Sequence, residues 1–330
     1  MTTHRTRLWK CHKPIPFSSV SRTYNACRVI SRRCLLLSLP ALMAAPRLIA
    51  QAAQSSLPPK GVPPGPVRAR GINHVTLSVR DVKRSVDFYQ GLFGMPVVSR
   101  QRSTVNLQIG AGPQFLGVSD AGSEPPRIDH LCLGVDDFHE GQRRVEDPNG
   151  FVIHLQDARS CGEVHLPGNA CAAAEPAPRR GLLAVRGWSH CTNTVPDPAV
   201  SRSFWQKWVG LRVQAYQGPA APVFGIPGTV EFLMFSAGPQ PAINHLCMTM
   251  ENFRPDVVIK ALESYGIKPR SDTSGTPGPL VHYITQRRED RGGSKEGTPE
   301  LYFTDPDGLR IQLQDVSYCG GSGALGNVCL

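Results

Sequence analysis

Four histidines in this chain recur in matched settings. His74 is followed seven residues later by Asp81, then by Ser85, Phe88-Tyr89 and Gly94, and His190 is followed at identical spacing by Asp197, Ser201, Phe204-Trp205 and Gly210. His130 in "RIDHLC" and His245 in "AINHLC" share a second pattern, I-x-H-L-C, with an acid six residues beyond each histidine. The segments "DPNGFVIHLQD" (147–157) and "DPDGLRIQLQD" (305–315) match as well, which puts His154 and Gln312 in equivalent places. Two or three imidazoles with coordination positions left open suit a divalent metal. A histidine on a buried strand can also serve simply by hydrogen-bonding a carbonyl. Glu231 sharpens the choice: in "TVEFLMFSAG" (229–238) it stands between apolar neighbours on a strand. An unpaired buried carboxylate is costly, so something cationic should face it.

The elements that must position these residues follow from the same repeats. The first pattern reads as a strand, an aspartate cap, an amphipathic helix with its aromatics on one face, and a glycine stop. Phe204, Trp205 and Trp208 fall at helical spacing and belong to the core. The D-P-x-G pattern reads as a tight turn feeding an alternating strand. The chain is therefore two halves of two units, each unit a strand, a helix and three strands. From His130 to Asp147 is 17 residues, whereas from His245 to Asp305 is 60. The second unit is short by about forty residues, which predicts that its helix and two strands are missing. The organisation is a leader over 1–52, a Pro/Gly linker over 53–70, a first half over 71–171, a linker over 172–185 and a second half over 186–330.

The formal charge of +10 is concentrated in the leader. Residues 1–52 hold nine Lys/Arg and no Asp or Glu, which leaves 27 basic against 26 acidic residues in the rest. The body is neutral and carries no electrostatic footprint for nucleic acid or an anionic membrane. "SRRCLLLSLPALMAAP" sets Arg32 and Arg33 before an apolar run too short to span a bilayer comfortably, and "IAQA" follows as a small-residue cleavage site. A twin-arginine export signal and a periplasmic or extracytoplasmic destination are expected. Cys161/Cys171 and Cys319/Cys329 share one spacing and are expected to close two short disulfide loops in an oxidising compartment. Cys132 and Cys247, two residues past His130 and His245, are expected as buried packing residues rather than ligands.

The Asn73-His74 strand opening, the D…S..FY…G helix and the D-P-x-G turn resemble the vicinal-oxygen-chelate superfamily. That superfamily includes glyoxalase I, bleomycin-resistance proteins, fosfomycin-resistance transferases and extradiol dioxygenases. The resemblance spans about 71–160 and 186–319. It implies an α+β fold of paired βαβββ units, forming half-open mixed barrels around a divalent metal held by first and last strands. By family position the second half offers His190, Glu231, His245 and Gln312, with Gln312 where the family usually has Glu. The first half offers His74, Gln114, His130 and His154 as a weaker second site without a carboxylate. "ELYFTDPDGLRIQ" (300–312) resembles the end of the extradiol-dioxygenase signature, which places a catalytic histidine upstream and makes His282 a candidate acid or base. Glu231 resembles the metal-binding Glu of glyoxalase I and would serve as ligand and base.

The resemblance thus implies metal-dependent chemistry on a small substrate chelated through adjacent oxygens, with Fe(II) or Mn(II) favoured and Zn(II) or Ni(II) admissible. An extradiol-type dioxygenase leads. A glyoxalase-like lyase or isomerase and a metal-free small-molecule binding protein are the alternatives. The partner is a small molecule, with no nucleic acid and no membrane once the signal is removed, and a homodimer is allowed.

Overall fold

The computed structural model describes residues 67–138, 143–162, 174–322 and 325. The leader, most of the first linker, Cys171 and Cys329 lie outside the described residues.

The first half begins with β1 (Ala69–Val79), α1 (Val82–Phe93), β2 (Val97–Gln101), β3 (Thr104–Gln108) and β4 (Phe115–Asp120). The Asp81 side chain caps α1 by accepting from Arg84 N, and Gly94 ends the helix in the left-handed region at φ 68°. There follow β5 (Arg127–Val135), β6 (Arg144–Glu146) and β7 (Val152–Asp157). The abbreviated unit therefore keeps three strands among the described residues, one more than its length predicted. The turn from β6 into β7 is tight enough that a three-residue strand still pairs. These strands form one mixed sheet in the order β2-β3-β4-β1-β5-β7-β6.

The second half repeats the plan with β8 (Gly187–Val195), α2 (Pro198–Val209), β9 (Arg212–Tyr216), β10 (Pro222–Gly225) and β11 (Phe232–Ala237). Its fourth unit is complete: β12 (Ala242–Met250), α3 (Pro255–Ser264), β13 (Lys268–Pro269), β14 (Val281–Arg287), β15 (Thr298–Thr304) and β16 (Arg310–Asp315). Asp197 caps α2 through the amides of Ala199 and Val200, and Gly210 ends it at φ 69°. The sheet runs β13-β14-β15-β16-β12-β8-β11-β10-β9. In each sheet the first strand pairs antiparallel with its counterpart from the next unit (β1 with β5, β8 with β12) and parallel with the last strand of its own unit. The fold is α+β, built from paired βαβββ units as the repeats predicted.

The two D-P-x-G turns bind the halves to each other. Asp147 spends one carboxylate oxygen on its own turn, accepting from the amides of Asn149 and Phe151. The other accepts from Ser201 Oγ and Trp205 Nε1 on α2 of the opposite half. Asp305 does the same in reverse: one oxygen takes the amides of Asp307 and Leu309, and the other takes Tyr89 Oη on α1 at 3.1 Å. Tyr89 and Trp205 are fully buried. Burial pushes the Asp305 carboxyl up to about 6, against the pull of its three donors.

Tyr89→Phe removes a donor from a buried carboxylate and is expected to lower stability by about 1–3 kcal/mol. Tyr89 favours the charged form of Asp305, so its loss raises that pKa further and the deficit is larger at pH 8 than at pH 5. Urea unfolding of variant and parent at the two pH values measures both the deficit and its direction.

Candidate functional site

Each half brings two histidines from adjacent strands together, and the two constellations are near copies. His74 on β1 and His130 on β5 have ring centroids 5.4 Å apart at 83°. His190 on β8 and His245 on β12 sit 5.5 Å apart at 83°. The first ring of each pair stacks on a phenylalanine that is its register partner, His74 on Phe115 at 4.4 Å and His190 on Phe232 at 4.3 Å. Every one of the four has its Nδ1 against the side chain immediately before it: Asn73, Asp129, Ser189 and Asn244. A polar residue before each histidine was a visible pattern in the sequence. Its use in orienting the ring shows only in the structure.

In the second half Gln312, 1 % exposed on β16, is the third member. Its amide lies close enough to both imidazoles to favour their protonated forms against burial, while neither its nitrogen nor its oxygen meets a partner at full hydrogen-bond geometry. Asn244 Oδ1 also accepts from Arg310, so it presents oxygen to His245 Nδ1, which must carry the proton and leave Nε2 bare. Burial drives both rings toward the neutral form. His190 falls well below its ordinary value, with the His245 ring and Arg287 adding to the effect. His245 falls to about 3, with Arg310 adding to it. Neutral imidazoles and one amide oxygen are a workable donor set for a borderline divalent cation, and the poorly satisfied Gln312 amide is a group such a cation would engage.

Aromatic and charged neighbours that sequence reasoning missed complete this face. Tyr302 meets His245 edge-on at 5.3 Å and stacks on Tyr283 at 5.2 Å. Tyr318, from the turn after β16, sits 6.0 Å from both His190 and Phe232. Its hydroxyl donates to Glu300 and accepts from Gln217. Glu300 is in turn held by Arg287 and Thr285. The signal for Tyr318 was its place beside Cys319, at the root of the expected loop. Cys161 and Cys319 are each disulfide-bonded, and the partners expected for them lie outside the described residues. Cys132 and Cys247 are buried and form no disulfide.

Two expected site residues are elsewhere. Glu231 precedes Phe232, the register partner of His190, so its side chain leaves the sheet on the opposite face. Its carboxylate accepts instead from Ile72 N and from Gln114 Nε2 at 2.7 Å, both in the other half. The contact is reciprocal, since Gln114 Oε1 accepts from Trp188 N at 3.1 Å. Glycines leave the room on both sides: a Cβ on Gly71, itself at φ 148°, or on Gly187 would come to 2.8 Å from the Glu231 or Gln114 side-chain oxygen and displace it. Glu231 is thus a structural carboxylate, and what faces it is a set of neutral donors rather than a cation. Burial pushes its pKa up to about 7 against those donors. His282 pairs with Phe303, while its neighbour Tyr283 pairs with Tyr302, so His282 lies on the face away from His245. There its Nε2 meets Glu263 on α3 at 3.3 Å. It is a packing residue under a helix, not an acid or base of this site.

In the first half His154 on β7 stacks on His130 at 4.1 Å, and burial holds it down to about 4. No three His, Cys, Asp or Glu side chains among the described residues close on a single point. No described helix is long and apolar enough to cross a membrane.

Residues 71–154 match the model of the Glyoxalase/Bleomycin resistance protein/Dioxygenase superfamily. No curated protein matches the sequence. Among solved structures, a variant of homoprotocatechuate 2,3-dioxygenase from Brevibacterium fuscum is similar at 18% identity, with 78% of this chain and 74% of that chain covered and a TM-score of 0.53. A Mn(II)-bound glyoxalase from Novosphingobium aromaticivorans is similar at 15% identity over 78% and 87% of the two chains, with a TM-score of 0.54. The 2,3-dioxygenase LapB from a Pseudomonas species is similar at 16% identity over 74% and 92%, with a TM-score of 0.54. At these identities the likeness is one of fold.

The interface position of Glu231 has a pH signature. Its folded pKa stands near 7 against 4.5 for the free group, so the stability it contributes is full below pH 4.5 and is lost as pH rises through 7. Glu231→Gln has no such group. The stability difference between variant and parent is therefore expected to move in the variant's favour between pH 4.5 and 7, by roughly 3 kcal/mol in all. A difference that stays flat across that window in denaturant unfolding contradicts the raised pKa.

Proposed function

We propose that the chain is a metal-dependent enzyme acting on a small substrate that presents adjacent oxygens, of the ring-cleaving dioxygenase type, with its centre in the second half. The observation that carries this reading is the buried amide of Gln312, set against His190 and His245 without a partner at full hydrogen-bond geometry. Those three residues would hold the ion, with Fe(II) or Mn(II) favoured and Zn(II) or Ni(II) admissible for such a donor set. A bound divalent ion would polarise the substrate oxygens and stabilise negative charge developing on them.

The surrounding residues prepare the rest. Phe232 and Tyr302 fix the two imidazoles by stacking and edge contact. Arg287 places positive charge close to both rings and Arg310 close to His245, which favours a substrate that binds as an oxyanion. Tyr283, Tyr302 and Tyr318 supply flat apolar surface for an aromatic ring. The commitment of Glu231 to the interface takes the carboxylate base away from this face, and that weighs against a lyase or isomerase. We further infer export of the mature chain, on the strength of the twin-arginine leader.

A metal-free binding protein is the second reading. Its support is Tyr318, whose buried ring already occupies space beside His190, together with a donor set that lacks a carboxylate.

Full-length protein loaded anaerobically with Fe(II) is expected to consume oxygen and yield coloured ring-cleavage products from a panel of catechols. His245→Ala should reduce the rate about 1,000-fold or more, the several kcal/mol a Lewis acid supplies. Gln312→Glu should tighten Fe(II) binding by restoring a charged ligand. Catechol binding without turnover, indifferent to chelator and to His245→Ala, sinks the enzyme reading and leaves the binding protein.

A further inference from the structure

A cavity of about 200 Å³ opens where the two halves meet, and no histidine is among the residues that line it. Its walls come from β1, the turn between β3 and β4, β5 and the segment after β7, with Arg186 reaching in from the start of the second half. Comparing the repeats shows how the space arises. Ile72, Gly112, Gly134 and Ala158 line the cavity, and the matched positions of the second half carry Trp188, Thr229, Thr249 and Val316. The match follows from equal spacing to the paired histidines, to Phe115 and Phe232, and to the two D-P-x-G turns. At all four positions the first half has the smaller residue. In the second half Thr249 Oγ1 takes up its place by donating to Gly187 O at 3.2 Å. In the first, a Cβ on Gly112 would meet nothing within 4 Å.

The ionisable groups on the wall are two guanidiniums, Arg70 and Arg186, which are themselves matched residues. Their acid partners, Asp136 and Glu251, stand outside the lining. Asp136 takes two N–H groups of Arg70 and Glu251 takes one of Arg186. A guanidinium has five N–H donors, so each arginine keeps donors for a ligand. Exposed ion pairs of this kind contribute little and yield to a third group at small cost. Glu231 lies behind Gly71, with its carboxylate spent on Ile72 N and Gln114. We propose that the cavity binds a small monocarboxylate, its charged end between Arg70 and Arg186 and its apolar body against Ile72, Ile109 and Pro113. A cavity of about 150 Å³ accepts benzene, so a single ring or a short branched chain suits this one. The site does not depend on an ion at His190 and His245.

Benzoate is the probe, titrated into the full chain and followed by calorimetry and backbone amide shifts. One equivalent is expected to bind and to move the amides of Gly112, Gly134 and Ala158. Benzamide, of the same shape without the charge, should bind about tenfold more weakly. Arg70→Ala and Arg186→Ala should each weaken benzoate about tenfold, the loss of a charge-assisted hydrogen bond. Gly112→Thr/Ala158→Val copies two residues of the second half and should abolish binding with the circular dichroism unchanged. The proposal is overturned by benzoate that does not bind, that shifts only amides around His190 and His245, or that ignores all three variants. Inorganic phosphate binding more tightly than benzoate overturns the assignment to a monocarboxylate. Should the filled variant not fold, the two arginine variants and the amide shifts decide.

Discussion

A carboxylate can be taken out of water only if donors meet it, and the Glu231 carboxylate finds both of its donors in the other half of the molecule. Ile72 N and Gln114 Nε2 come from the unit that carries His74, and Gln114 repays the contact by accepting from Trp188 N, two residues before His190. The backbone of each histidine strand is thereby tied to a side chain standing next to the phenylalanine that supports the other histidine. Gly71 and Gly187 make the approach sterically possible. This reciprocal contact sets the register between the halves. It also keeps the Glu231 carboxylate away from the face that carries His190 and His245.

The aspartates of the two D-P-x-G turns act at the periphery as Glu231 and Gln114 act at the centre. Each closes its own turn with one oxygen and reaches an aromatic donor on the opposite helix with the other. A turn that could have been a local feature therefore becomes a long-range constraint, holding α1 against the second half and α2 against the first. The cost of leaving either carboxylate without its donor makes the docking of the helices specific rather than merely apolar.

Duplication has left two histidine pairs of one geometry in different company. Behind the second histidine stands Asp129 in the first half and Asn244 in the second. At the last-strand position stands His154 in one and Gln312 in the other. The second centre is walled by Tyr302, Tyr318 and the Arg287–Glu300 pair, whereas the first reaches solvent through His130 and Asp129.

Much of this was readable from residue order. The repeated H-x6-D-x3-S-x2-F-[YW]-x4-G pattern carries its own strand, cap, helix and stop, because capping and periodicity are local properties of a few adjacent residues. The equivalence of His74 with His190, and of His130 with His245, followed from spacing alone. Residue order could not say which face of a strand would meet which neighbour. Glu231 sits one position from Phe232, and that single step in a period-two strand turned an expected ligand into an interface residue. His282 was displaced by the same alternation, toward Glu263 and α3. Tyr318 reaches His190 from a segment far along the chain, so only tertiary packing could bring it there. The sequence by itself determined the units, their order and the pairs of histidines. The tertiary structure decided which side chains those pairs face, since pleat direction and cross-half donors are settled only when the two sheets meet.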